Sequence, residues 1–189
     1  MIDTAPGADL HPGLDLVNSV IATPGAPVAD LLDSPAAATT WLVERGLVPA
    51  DAVLYEICAG RLRAMRSALR DLLTATVQRQ SPPAEALTVV NTALTRVPTA
   101  AELHWDPARG LHRSAPHPTD QVVDHALGVL AADAADLLTG ADAARLTACD
   151  SRPCLRFLLR SGRRQWCSVR CGDRARAARA YARRTSGAQ

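Results

Sequence analysis

Four cysteines towards the end of the chain, Cys149, Cys154, Cys167 and Cys171, form two pairs, with four and three residues inside the pairs and twelve between them. Two short turns, each offering two soft sulfur ligands, can face each other and close a tetrahedral thiolate shell around Zn2+ without a large core. A disulfide framework would need an oxidising compartment, and the opening residues carry neither a positive segment nor an apolar run for export. Buried structural cysteines would need apolar flanks, whereas Asp150, Arg152, Arg163, Arg164 and Arg170 surround these. The spacing therefore predicts one structural zinc ion held by all four sulfurs.

The elements that position these ligands are legible nearby. Phe157-Leu158-Leu159 reads as a strand, Ser161-Gly162 as a turn, and Gln165-Trp166 leads back to the second pair, so a short hairpin is predicted between the pairs. From Asp173 to Arg184 the chain is rich in alanine and arginine and is predicted helical. Knuckle, hairpin and a helix carrying the last ligand at its start give a treble-clef-like order.

The run Arg163-Arg164-Gln165-Trp166-Cys167-Ser168-Val169-Arg170-Cys171-Gly172-Asp173-Arg174 resembles the CGNR zinc-finger family, which carries an arginine pair, a Trp-Cys step and a Cys-Gly-Asn-Arg tetrad. The chain departs from that pattern at Asp173, where the family has asparagine. Members of that family commonly carry an ABATE-type N-terminal domain, described as a stress-induced transcription regulator. Leu14-Asp15-Leu16-Val17-Asn18-Ser19 and Trp41-Leu42 resemble its landmarks. The resemblance implies a DNA-directed regulator with a zinc finger at its C-terminal end.

Composition divides the chain in the same place. Residues 1–144 hold 9 arginines against 17 acidic residues, and residues 145–189 hold 12 against 2, within an overall formal charge of +2. This asymmetry places a polyanion-binding end on a carrier that is not one. No lysine occurs anywhere, so arginine at any one position is weak evidence for bidentate phosphate recognition. No apolar run reaches the roughly 18 residues of a membrane span, and a cytoplasmic, reduced, membrane-free protein is expected.

Ahead of the finger the pattern is helical. Residues 1–12 are expected to be loose. Leu14, Val17, Val20 and Ile21 keep a helical period. Ser34-Pro35 and Ser81-Pro82 read as N-cap and first helical position, and Gly46 as a stop. The longest helix is expected from about Ala50 to Gln80, with Leu54, Ile57, Cys58, Leu62, Met65, Leu69 and Leu72 facing the core. Arg61, Arg63, Arg66 and Arg70 lie off this stripe and read as a solvated face, a polyanion surface being the sharper alternative. Residues 102–113 read as a hairpin that pairs His104 with His112, where a second metal site with Asp106 or His117 is conceivable but not fixed by spacing. A proline-rich linker at 114–118 and a Thr119 cap lead into a last helix ending at Gly140, with an acidic polar face of Asp120, Asp124, Asp133 and Asp136. The expected fold class is mainly α with one β-hairpin, a helical N-terminal domain over 1–140 and a four-cysteine zinc module over 141–189.

Catalysis finds little support: there is no nucleophile elbow, no phosphate-cradling glycine loop and no His-Glu-x-x-His helix, and four cysteines leave a metal no open position. An enzyme is not expected. Duplex DNA is the expected partner, with Arg176, Arg179 and Arg183 on one face of the terminal helix and Arg163 and Arg164 on the incoming loop reaching phosphates. Asp173 and Arg174 at the helix start would address base edges or serve structure, and Asp173 could equally be a plain helix cap. Only six residues are aromatic, which disfavours stacking on single strands. A protein-interaction module and a thiolate redox sensor are the alternatives. For the N-terminal part, homodimerisation, binding of a small-molecule effector, or mere support of the finger stay open.

Overall fold

The structure, a computed structural model, describes residues 4–96, 102–114, 121–162 and 164–186. The linker beyond Ser114, the Thr119 cap, His117 and Arg163 lie outside them. The described chain is mainly helical, with three antiparallel pairs of short strands.

Helix α1 (Pro12–Val17) buries Leu14, Leu16 and Val17 completely. The sequence reading carried this helix on to Ile21. Instead the chain turns at Asn18, and the β-branched Val20–Ile21 forms strand β1, paired with β2 (Ala29–Asp30). The described residues before α1 are not loose either: Ala5 and Ala8 are buried, and Pro6 offers its carbonyl to a strand far along the chain. Helix α2 (Pro35–Glu44) starts as expected. The Ser34 hydroxyl accepts the Ala37 N–H at 3.2 Å, and Gly46 adopts a left-handed φ of 64° just past the end.

The central helix, α3 (Glu56–Gln78), begins later than expected. Leu54 is buried from the preceding loop, whose backbone is held by Thr39, while Ile57 faces solvent. Leu62, Met65, Leu69 and Leu72 form the predicted buried stripe. Around α3 pack α1, α2, α4 (Ala84–Arg96) and α5 (Val122–Thr139).

The arginines of α3 overturn the reading of a solvated face. Arg66 is buried and forks onto both Asp30 oxygens and the Ser19 hydroxyl, fastening the β1–β2 hairpin to α3. Arg61 pairs with Asp124 of α5, and Arg63 with Glu56 and the Leu32 carbonyl. Arg70 donates to the carbonyls of Val17 and Leu155. Asp133 is internal too: it accepts the Gly13 N–H at 2.8 Å at the start of α1 and takes His11 at 2.9 Å. Charges that a periodicity plot assigns to solvent instead join elements distant in sequence.

Strands β3 (Glu102–Asp106) and β4 (Gly110–Ser114) form the expected hairpin, with His104 opposite His112. After a 3-10 turn at Ala141–Arg145, β5 (Leu146–Ala148) pairs with β6 (Phe157–Leu159). Helix α6 (Val169–Ser186) ends the described chain.

Packing is continuous across the division read at 140 and 141. Phe157, Leu158 and Leu159 sit in the same apolar cluster as Leu14, Leu16, Leu62 and Leu130. Asn18 forms the central polar link: its amide donates to the Phe157 carbonyl at 2.9 Å and its carbonyl accepts the Phe157 N–H at 2.8 Å, with the side chain buried. The Leu159 N–H meets the Pro6 carbonyl at 2.8 Å.

Removing the Asn18 amide strands two buried backbone groups. Asn18→Ala should destabilise the protein by about 3 kcal/mol in urea unfolding, since each unsatisfied buried group costs roughly 1–3 kcal/mol. Loss below about 0.5 kcal/mol would show that Phe157 finds other partners. The Arg66 hydrogen bonds hold the Asp30 carboxyl below its ordinary value of 3.8. The stability this pair supplies is therefore present above that value and lost as pH falls through the depressed one. Asp30→Asn should be less stable at neutral pH and less sensitive to acid between pH 5 and 2; equal acid profiles would remove Asp30 from the account.

Candidate metal centre

The first pair of cysteines lies between β5 and β6, which corrects the expected hairpin. Phe157–Leu159 pairs with the strand before Cys149 and not with the return segment, so the knuckle itself is the hairpin loop. Within it, Cys149 N–H donates to the Arg156 carbonyl at 2.8 Å and Cys154 N–H to the Ser151 carbonyl at 2.9 Å. Among the described residues one backbone–backbone bond joins the return segment to the knuckle, Asp150 N–H to the Gln165 carbonyl at 3.1 Å. Cys167 precedes α6 and Cys171 lies in its first turn. Ser168 caps that turn by accepting the Cys171 N–H at 3.2 Å. The capping role considered for Asp173 thus belongs to Ser168.

These turns bring all four sulfurs within 4.8 Å of one another. Cys154 and Cys167 are 3.6 Å apart, and Cys167 and Cys171 3.5 Å. A tetrahedron with Zn–S bonds of about 2.3 Å has edges of about 3.8 Å, so the donor set fits a zinc ion in size and in softness. Among themselves the thiols share protons unequally. Hydrogen bonds with Cys149, then Cys167, pull the Cys154 thiol down to about 3, while bonds with Cys154 and Cys167 hold Cys149 far above the usual thiol range. A divalent cation would satisfy all four as thiolates.

Three further donors address the sulfurs or the turns that carry them. The Cys167 N–H points at Cys149 Sγ at 3.4 Å. Arg174 reaches back from α6 to donate to Cys171 Sγ at 3.2 Å, to the Ser151 hydroxyl at 3.0 Å and to the Ser151 carbonyl at 3.1 Å. One guanidinium therefore holds a ligand and the opposite knuckle together. Arg164 wraps the return loop by donating to the carbonyls of Trp166 at 3.1 Å and Cys167 at 3.5 Å.

The remaining candidate residues distribute as follows. Trp166 lies against Gly172, where a Cβ would come within 3.2 Å of the indole, so the glycine permits this contact. Arg176 and Arg179 stand over the same ring at 5.6 and 5.3 Å from its centre. Asp173 is exposed and pairs with Arg176. Arg183 is exposed on the same helix face. Ala175 is buried, whereas Ala178 and Ala182 are exposed, and residues 181–185 of α6 are exposed throughout. Cys58 is half-buried beside the helical core and takes no part in the cluster.

The histidine pair does not assemble a second site among the described residues. His104 and His112 rings are 6.1 Å apart, His112 faces the Gly110 carbonyl and Asp106, and His104 faces Glu102. The cysteine cluster is the metal-ligating group those residues form. Sequence reasoning missed Asn18, Ser151 and Ser168. Only Ser168 carried a local signal, a serine directly before a helix.

A small β-turn-β unit and a helix start that gather four thiols define a metal-stapled finger on a helical carrier. The family model described as "Putative stress-induced transcription regulator" (ABATE) matches residues 10–141, and that of the CGNR zinc finger matches residues 145–184. The chain belongs to the ABATE family and carries a CGNR zinc finger. A search of curated proteins found no match.

Two measurements test the centre. The protein should carry one zinc per chain, and Cys167→Ser should lose it; full zinc content in that variant would refute the ligand set. Arg174→Ala should keep the ligands but bind zinc about 10–100-fold more weakly in competition with a chromophoric chelator, the usual cost of losing an outer-shell partner. Unchanged affinity would reduce Arg174 to a surface contact.

Proposed function

We propose that the protein is a zinc-dependent, DNA-binding transcription regulator and not an enzyme, working in the cytoplasm. In this reading the finger contacts duplex DNA, and the helical part serves dimerisation or effector sensing. The observation that carries it is α6. Anchored by Cys171, Gly172 and Ala175, it projects with Arg176, Arg179 and Arg183 on one exposed face. A helix with side chains is about 10–12 Å across and the major groove about 12 Å wide, so a projecting arginine helix suits that groove. Trp166 supports Arg176 and Arg179 from below, which orders both side chains while leaving their N–H edges for phosphate.

The geometry narrows the expected contacts. Arg164 and Arg174 are committed to the finger's own carbonyls and sulfur, so their main role in this reading is to shape the module. Asp173 neutralises part of Arg176 and would tune that contact, or turn to a cytosine N4 amine if Arg176 leaves it for phosphate. Closure of the metal shell by four sulfurs supports a structural and not a catalytic ion.

A second reading, the thiolate redox sensor, draws on Cys154, the one cysteine of the cluster that is not buried. Oxidation would start there and release the metal. Retention of zinc under mild peroxide would dismiss it.

Selection from a random duplex library with zinc-loaded protein should enrich a sequence; no enrichment would remove specific regulation. Replacing Arg176, Arg179 and Arg183 by Ala should weaken binding to every duplex and flatten the salt slope by about 0.9 per lost phosphate contact. An unchanged slope would place the nucleic-acid surface elsewhere.

A further inference from the structure

Helix α6 opens on Val169, which is 70 % exposed. A single exposed valine is ordinary on a protein surface, but the place of this one on its helix is not. At 100° per residue, Val169, Asp173, Arg176 and Arg183 fall within an arc of about 80°, so the valine stands at one end of the arginine face. Tyr181, the other large apolar side chain exposed on α6 among the described residues, lies about 120° around the helix from it.

Side-chain length changes along that face. Ser168, Val169, Gly172 and Asp173, in and just before the first turns, are all short, whereas Arg176, Arg179 and Arg183 beyond them are long. Where Gly172 has no side chain, a recess of about 180 Å3 lies between Val169 and the Trp166 ring, with Arg176 at its border. No cysteine lines it. Laid in the major groove, such a helix brings its first turns close to the base edges while its guanidinium groups reach the phosphates at the rim.

What the groove floor offers decides what Val169 can meet. The base edges there present hydrogen-bond donors and acceptors and one apolar group, the C5 methyl of thymine. A valine over a donor or acceptor removes its water and returns no hydrogen bond, which costs free energy. Over a methyl group it buries apolar surface on both partners. We infer that Val169 takes the C5 methyl group of a pyrimidine in the major groove of duplex DNA. 5-Methylcytosine carries the same group at the same position, so thymine and methylated cytosine are the two sources of this contact. The inference rests on the proposed DNA face and adds to it a residue that selects among sequences.

The test measures binding of the zinc-loaded full chain to four short duplexes of equal length: alternating adenine–thymine, the same with uracil for every thymine, alternating guanine–cytosine, and the same with 5-methylcytosine. Within each pair the duplexes differ only by the methyl group. Thymine should be favoured over uracil, or 5-methylcytosine over cytosine, by about fourfold, the worth of one buried methyl group, and the pair that shows the preference identifies the source. Val169→Ala should bring that ratio to about one, with zinc content as the check that the finger is intact. Equal affinities within both pairs would overturn the inference. A preference that survives in Val169→Ala would overturn it too, since it would then come from the duplex itself. The salt dependence of binding decides the DNA reading separately. A steep slope without a methyl preference sinks this inference alone, and no binding to any duplex sinks both.

Discussion

Four sulfurs inside 4.8 Å cannot all be anions unless a cation joins them, and this repulsion governs the last third of the molecule. Little else among the described residues of 146–175 holds these turns together: the strands are three residues each, one backbone–backbone bond joins the return segment to the knuckle, and the Cys167 N–H and Arg174 add side-chain links. Metal binding free energy is therefore folding free energy for this module. The polar groups around the sulfurs follow the same logic. A backbone N–H and a guanidinium N–H point at the sulfurs of Cys149 and Cys171, and each would lower the cost of gathering negative charge there once a metal binds.

The finger does not stand apart from the helices. Phe157–Leu159 is buried against α1 and α3, and Asn18 supplies the strand edge with both of its missing hydrogen bonds. Arg70 adds a second clamp by joining the α1 carbonyl of Val17 to the knuckle carbonyl of Leu155. Because β6 leads out of the knuckle and also fills the helical core, the knuckle and the helices share one packed region around Leu14 and Leu158. The same continuity reaches the N-terminal segment: Pro6 and Gly7 lie across the face of Leu159.

Local rules read the elements well and the long-range bonds poorly. Ser34-Pro35, Gly46 and the α3 stripe were legible because a cap, a stop and a helical period each act within a few residues. The four-cysteine spacing was legible because tetrahedral coordination dictates short loops. The roles of Arg66, Arg70, Asn18 and Asp133 were not, since their partners lie between 36 and 139 residues away and leave no periodic trace. β5 was missed as the partner of β6 because Leu146–Ala148 is too short to show alternation, whereas the Ser161-Gly162 turn drew attention to the wrong side.

Counting arginines overstated the surface charge available for a polyanion. Twelve arginines lie in residues 145–189, yet Arg145 is held by Asp142 and the Arg160 carbonyl, Arg164 by its own loop, and Arg174 by Ser151 and a thiolate. Arginine suits these internal tasks because its fork serves two or three acceptors at once, which an ammonium group on a flexible stem does less well. In a chain without lysine the same residue type must therefore brace the fold and present charge to solvent. What separates the two uses is place. Arginines near the sulfurs and in the core find carbonyls and carboxylates of other elements, whereas those past Ala175 meet, among the described residues, Asp173, the Trp166 ring and carbonyls of their own helix. The exposed charge thus gathers on the part of α6 beyond the cysteine cluster, and the seating of that helix by Cys171 and Ala175 becomes the link between cluster, core and surface.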